Sequence, residues 1–183
     1  MGFYVKGNGM DRLEKLVIRN DLTVTEEAKE LYDMIENVVD RVYSSYGSDI
    51  YRELVYTSIL GVELEELGYQ TKREEKYIMQ HKGKDVGLLI ADLVVTGVHS
   101  FVVEAKKIDI NKAIRQVIGY MRVANLDYGF VVGYLRGSSE IWMVLRGVVN
   151  DEVCGVGERL SECIVYYMYN RGIVKEIPTT GII

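Results

Sequence analysis

The sequence predicts an α/β domain built on a mixed central β-sheet flanked by α-helices. Three observations carry this expectation. Stretches of helical and strand-like periodicity follow one another in the order α-α-β-β-β-α-β-β. A chain of 183 residues suffices for one substantial core and is short for two. Its 48% hydrophobic and 27% charged content is that of an ordinary globular protein, which sets aside disordered and fibrous classes.

Residues 1–22 hold glycines at 2, 7 and 9 and then an amphipathic piece from Asp11 to Asn20, an arm or a short helix. Thr23-Val-Thr-Glu26 has the form of a capping box, Thr23 capping and Glu26 reaching back. The helix it opens runs to about Tyr46, with Leu31, Ile35, Val38, Val39 and Val42 at helical spacing. Gly47-Ser-Asp stops it, and Ser48 or Asp49 is placed to cap a second helix over about residues 50–67. That helix has apolar positions Ile50, Leu54, Ile59, Leu60 and Leu64, and Gly68 ends it.

Residues 69–84 are mostly polar with some alternation, a strand with one exposed face that turns at Lys82-Gly83-Lys84. Residues 86–95 and 100–105 are the two central strands, joined around Thr96-Gly97. Asp109 or Asn111 caps a third helix over about residues 110–125. Ala113, Val117, Ile118 and Met121 face inward on it, and Gln116 and Tyr120 lie one turn apart. Asp127-Tyr-Gly is turn chemistry, Phe130 to Tyr134 is a buried type of strand, and Glu140 to Leu145 is another. The tyrosine-rich tail, 153–157 and 161–170, does not separate helix from strand.

A formal charge of −5 argues against indiscriminate polyanion binding, although a local basic patch can act within an acidic protein. Cys154 and Cys163 are too few for a disulfide scaffold and read as reduced structural thiols. With His81 and His99 they complete no zinc site, and His99 reads as a surface residue. Residues 1–10 lack a signal-peptide pattern, and no apolar run approaches the ~20 residues that span a bilayer. An intracellular, soluble protein without a membrane partner is expected.

The two central strands carry charge where buried strands should not. Asp92 interrupts Ile90-Ala-Asp-Leu-Val94, and Glu104 and Lys106 flank Ala105 after Phe101-Val-Val. Isolated buried charges cost several kcal/mol unless they are paired or bind a metal. Period-2 geometry puts Glu104 and Lys106 on one face of their strand. Two carboxylates and an ammonium converging on one sheet face suggest a cation site. Each residue alone has a plainer reading: Asp92 as a strand-end turn residue, Glu104 with Lys106 as an ion pair, Gln116 with Tyr120 as a solvated helix face.

Taken in order, Glu53, Asp92, Glu104-Ala105-Lys106 and Gln116 resemble the motifs of the PD-(D/E)XK nuclease superfamily. The similarity is greatest to its GxxExxY branch, through Gly47, Glu53 and Tyr56, Lys82-Gly83, Ala91-Asp92-Leu93-Val94, Val103-Glu104-Ala105-Lys106, Gln116 with Tyr120, and Tyr128-Gly129. It covers about residues 42–134. The resemblance implies a restriction-endonuclease-like core over about residues 42–146 of a single domain, with extensions at 1–41 and 147–183. It also implies a Mg²⁺-dependent nuclease, Mn²⁺ substituting, that hydrolyses phosphodiester bonds in DNA in preference to RNA. Asp92 and Glu104 would bind the metal with the carbonyl of Ala105, and Glu53 would approach as a further ligand.

The chemistry agrees with the residue types. Mg²⁺ takes hard oxygen ligands and keeps several waters. Lys106 on the same face can position a water or neutralise charge on the phosphate. Gln116 can donate to the phosphate or the attacking water, with Tyr120 one turn behind it. Lys107, Lys112, Arg115 and Arg122 line the third helix and its approach. With Lys82 and Lys84, and with Lys72 and Arg73, they can form a basic rim for a nucleic-acid backbone. A homodimer is a further expectation, with the tyrosine-rich tail as its interface. The rival reading is a non-catalytic nucleic-acid-binding or protein-interaction module that retains the fold.

Overall fold

A computed structural model describes residues 24–48, 50–106, 109–135, 138–148 and 164–177. The chain divides into two compact units, one spanning Glu26–Val144 and the other drawing on Leu145–Ile183. The first unit takes in a helix that the sequence placed mostly in an amino-terminal extension.

That unit begins with helix α1, Glu26–Tyr46, which buries Leu31, Tyr32, Ile35, Val38, Val39 and Val42 along one stripe. Thr23 of the expected capping box lies outside the described residues. Gly47 takes φ +73°, a backbone that only glycine enters cheaply, and its N–H closes the helix onto the Tyr43 carbonyl at 2.8 Å.

Helix α2 runs Glu53–Glu66, three residues later than expected. Ser48 is not its N-cap. The N-cap is Arg52, whose side chain makes no capping bond, and Asp49 lies outside the described residues. Its buried face also differs from the expected one. Tyr56, Thr57, Leu60, Gly61 and Leu64 point inward, while Ile50 and Leu54 are 67% and 53% exposed. Apolar residues occur on every side of this helix, so periodicity could not set its phase. Tyr56 sets it, stacking on Tyr134 with ring centroids 4.2 Å apart and donating its hydroxyl to the Gly47 carbonyl at 2.9 Å. Gly68, at φ +94°, ends α2 as expected, its N–H bonded to the Glu65 carbonyl.

Strands β1, Gln70–His81, and β2, Lys84–Thr96, form a long antiparallel hairpin. Lys82 and Gly83 both have positive φ, the two-residue I′ turn whose twist matches the strands it joins. Strand β3, Phe101–Lys106, pairs antiparallel with β2 and parallel with β4, Tyr128–Leu135. Tyr128 and Gly129, expected in a turn, are already in the β4 ladder. Strand β5, Ser138–Val148, follows, and the strand order is β1-β2-β3-β4-β5. The sheet is therefore mixed, as predicted.

Between β3 and β4 runs helix α3, Ile110–Ala124. Asp109 caps it, its carboxylate accepting from the Lys112 N–H at 3.1 Å. Register assigns the two layers. Leu93, Val103 and Phe130 are paired across three strands and share one face, where Gly61 of α2 sits against Leu93. Val102 and Gly129 share the other face, and a Cβ at Gly129 would collide with Val117 and Met121 of α3. One helix thus covers each face of β2–β3–β4, and β3 is buried along five of its six residues.

In the second unit residues 164–170 of the undecided tail are a strand, β6, Ile164–Asn170, paired antiparallel with β7, Ile173–Ile177, across Arg171-Gly172. Cys154 and Cys163 lie outside the described residues. Among the described residues no helix is long and apolar enough to cross a membrane.

Candidate active site

The β2–β3 ladder pairs Leu93 with Val103, Val94 with Val102 and Val95 with Phe101. Asp92 and Glu104 are the next opposed positions, and the main-chain N–H of Asp92 points at Glu104 Oε1 at 3.4 Å. On the other side, β1 pairs Arg73 with Leu93 and Glu75 with Ala91, and Glu74 between them adopts a left-handed φ of +53°. Asp92 therefore sits where regular pairing is interrupted on both flanks, and its side chain is half-buried.

Glu104 is 2% exposed. Burial, and then the adjoining Asp92 carboxyl, pushes its pKa from 4.5 up to about 8, with Lys106 pulling the other way. Lys106, on the same face two residues on, brings its Nζ to 3.8 Å from Glu104 Oε2 and 4.0 Å from Glu53 Oε2. Residues from a helix and two strands, far apart in sequence, meet here.

Sequence-predicted residues fall into three groups. Asp92, Glu104 and Lys106 come together, and Glu53 joins them through Lys106. Glu53 is the first residue of α2, where a carboxylate also meets the positive end of the helix dipole. Tyr120 closes the site from α3. It is buried, its hydroxyl donates to the Ile90 carbonyl at 2.7 Å, and burial followed by the negative Glu104 pushes its pKa up. Gln116, one turn earlier, has a buried Oε1 with no hydrogen-bond partner.

The basic residues are dispersed. Lys112, Arg115 and Gln116 line one groove with Ile90 and Tyr120. Arg122 lies in the last turn of α3. Lys82 and Lys84 are at the hairpin tip, and at about 3.3 Å per residue Lys84 is roughly 26 Å along the strand from Asp92. Arg73 donates to Ser58 Oγ at 2.6 Å. Lys107 lies outside the described residues.

Sequence reasoning named Tyr56 as a motif residue but not its contacts, by which it anchors the loop and helix that present Glu53. His99, expected at the surface, is half-buried there, with Nε2 3.0 Å from Glu27 Oε1 and Nδ1 3.5 Å from the Tyr69 hydroxyl. It ties α1 to the β2–β3 turn. A polar residue in a turn gives no local signal of such a long-range contact.

The donor chemistry fits a hard divalent cation. The buried Glu104 carboxyl and the Asp92 carboxyl beside it can offer a cation two oxygens, and Ala105 lies between Glu104 and Lys106 with a carbonyl to add. Among the described residues, no group of three or more His, Cys, Asp and Glu side chains converges. Glu53 reaches the Lys106 ammonium and is not brought into a three-acid cluster. Two carboxylates, one carbonyl and several waters is a donor set suited to Mg²⁺, which sheds its waters reluctantly.

A family model of the PD-(D/E)XK nuclease superfamily matches residues 29–143, which takes in most of α1 and strands β1–β4. No curated protein shows significant similarity to the chain. Among solved structures the chain is similar to one titled "Crystal structure of SSO0001", with 16% sequence identity and a TM-score of 0.38 over 70% of this chain and 72% of that one.

Proposed function

The chain belongs to the PD-(D/E)XK nuclease superfamily, and from that premise we propose that it is a Mg²⁺-dependent nuclease that hydrolyses phosphodiester bonds in DNA. Mn²⁺ would substitute. The observation that carries this reading is the buried Glu104 beside Asp92, with the Lys106 ammonium 3.8 Å away. A plain structural ion pair has no use for the second carboxyl.

Asp92, Glu104 and the Ala105 carbonyl would hold the cation. When bound, such an ion polarises the scissile phosphate and lowers the pKa of a water near it. The chain's own groups do the rest. Lys106 keeps an ammonium beside the reacting phosphate, stabilising the charge that grows on its oxygens. Glu53 holds that ammonium in place from the start of α2. Gln116 orients the substrate from α3, and Tyr120 fixes α3 against the Ile90 carbonyl so that both stay in register. Lys112 and Arg115 neutralise the adjoining backbone phosphates.

Assignment to the GxxExxY branch is supported by the contact between its expected members. The Tyr56 hydroxyl bonds the Gly47 carbonyl, and Glu53 leads the same helix. An intracellular protein, acting alone or as a homodimer, suits this activity.

The test uses labelled single-stranded, duplex and branched DNA with Mg²⁺ or Mn²⁺. Asp92→Ala and Lys106→Ala should each abolish metal-dependent cleavage while the circular-dichroism spectrum stays unchanged. Wild-type rates in either variant would sink the assignment. Calorimetric titration with Mg²⁺ separates this reading from the non-catalytic module, for which wild type and Asp92→Asn would bind the ion equally or not at all.

A further inference from the structure

We propose that the groove between α3 and β2 is a nucleobase subsite that takes one nucleotide splayed out of the DNA strand next to the cut. This rests on reading the neighbouring Asp92–Glu104–Lys106 cluster as the cleavage centre.

The groove has a volume of about 480 Å³ and is lined by Leu88, Ile90, Lys112, Arg115, Gln116 and Tyr120 among others. That volume falls within the range of about 300–1,000 Å³ usual for small-ligand sites. Its floor is apolar yet open: Leu88 is 55% exposed and Ile90 44% exposed. Leu88, Ile90 and Asp92 alternate along β2 and share one face, so the floor runs directly into the acidic pair. Tyr120, whose hydroxyl bonds the Ile90 carbonyl, is the wall between the two.

The chemistry of the lining selects the ligand. Lys112 and Arg115 stand exposed on α3 as cations for a phosphate. Gln116 lines the groove while its Oε1 is buried without a partner; such groups are rare enough in native proteins to need a reason, and this acceptor becomes reachable when the side chain turns out onto a ligand. A phosphate cannot supply a partner, because its oxygens only accept. A base can, through an exocyclic amine or ring N–H, while its flat face covers Leu88 and Ile90. Enzymes that hold an extruded base read it in this way, by hydrogen bonds to its edge and by apolar contact with its faces. The same groove offers an acceptor for the edge, a hydrophobic surface for the ring and cations for the phosphate.

The test is a set of DNA oligonucleotides each carrying 2-aminopurine at one position, bound in Ca²⁺ so that binding is read apart from cleavage. 2-Aminopurine bears an exocyclic amine and brightens when it leaves the base stack. One position, adjoining the cleavage site mapped in Mg²⁺, should brighten on binding. Gln116→Leu should weaken binding of that oligonucleotide by about tenfold, the loss expected when a single buried hydrogen bond is removed. Leu88→Ser, at an exposed position, should abolish the brightening and leave the salt dependence of binding unchanged. If no position brightens, or if both variants behave as wild type, the subsite is refuted. Brightening without cleavage in Mg²⁺ would keep the subsite and remove the nuclease reading; cleavage without brightening would do the reverse.

Discussion

Replacing Glu104 by Gln removes a buried titratable carboxyl while keeping the shape of the side chain. In the metal-free protein Glu104 is 2% exposed and carries a pKa near 8 in place of 4.5, first because it is desolvated and then because Asp92 adjoins it. The folded carboxyl therefore holds its proton more tightly than the unfolded one. Between about pH 4.5 and pH 8 the folded state binds more protons, so this group's contribution to stability falls as pH rises through that window. Each pH unit is worth about 1.4 kcal/mol, which caps the loss at about 5 kcal/mol. The variant has no such proton to lose. Thermal melts in chelator from about pH 4 to about pH 9 should show the two proteins nearly level at the acid end. Towards the alkaline end the variant should melt higher, by roughly 2–4 °C for each kcal/mol. Mg²⁺ should raise the wild-type Tm at alkaline pH and leave the variant where it was. Parallel pH profiles for the two proteins, with or without Mg²⁺, would refute the account of Glu104 as a buried carboxyl awaiting a cation.

Four further outcomes follow from the packing and the charge map. Gly129→Ala places a methyl into Val117 and Met121, so α3 must shift, and chemical denaturation should show a loss of about 1–3 kcal/mol together with reduced cleavage. Tyr56→Phe keeps the stack on Tyr134 and loses the hydroxyl bond to Gly47. A loss of about 1 kcal/mol in stability is expected, with a larger proportional fall in kcat if the loop before α2 holds Glu53 in place. Arg115→Glu should weaken DNA binding and lower the slope of log affinity against log salt by about 1. Lys84→Glu, at the distant hairpin tip, should change neither.

Much of this molecule was legible in its sequence, because the strongest signals are local. Helical periodicity in residues 26–46 and 110–124 placed α1 and α3, and Lys82-Gly83 placed the hairpin turn. Asp92, Glu104 and Lys106 stood out because charge inside an apolar strand is costly wherever the strand packs. Their alternation already put two of them on one face. Where local signals were balanced, only tertiary contacts decided. Helix α2 is apolar all round, and its phase follows from Tyr56 finding Tyr134. Tyr128-Gly129 reads as a turn in isolation but pairs in the β4 ladder, since Gly129 is where α3 approaches closest. His99 has no partner within its own segment and gains Glu27 across 72 residues.

The same division holds within the site. Sequence determined which groups carry charge and which strand face bears them, because both are properties of residue type and period. Tertiary structure alone decided that the Lys106 ammonium lies between two acids, that Lys82 and Lys84 are far from the centre, and that Gln116 faces a groove with its acceptor unmet. Those are distances between segments, and a sequence specifies them only through the packing of the whole fold.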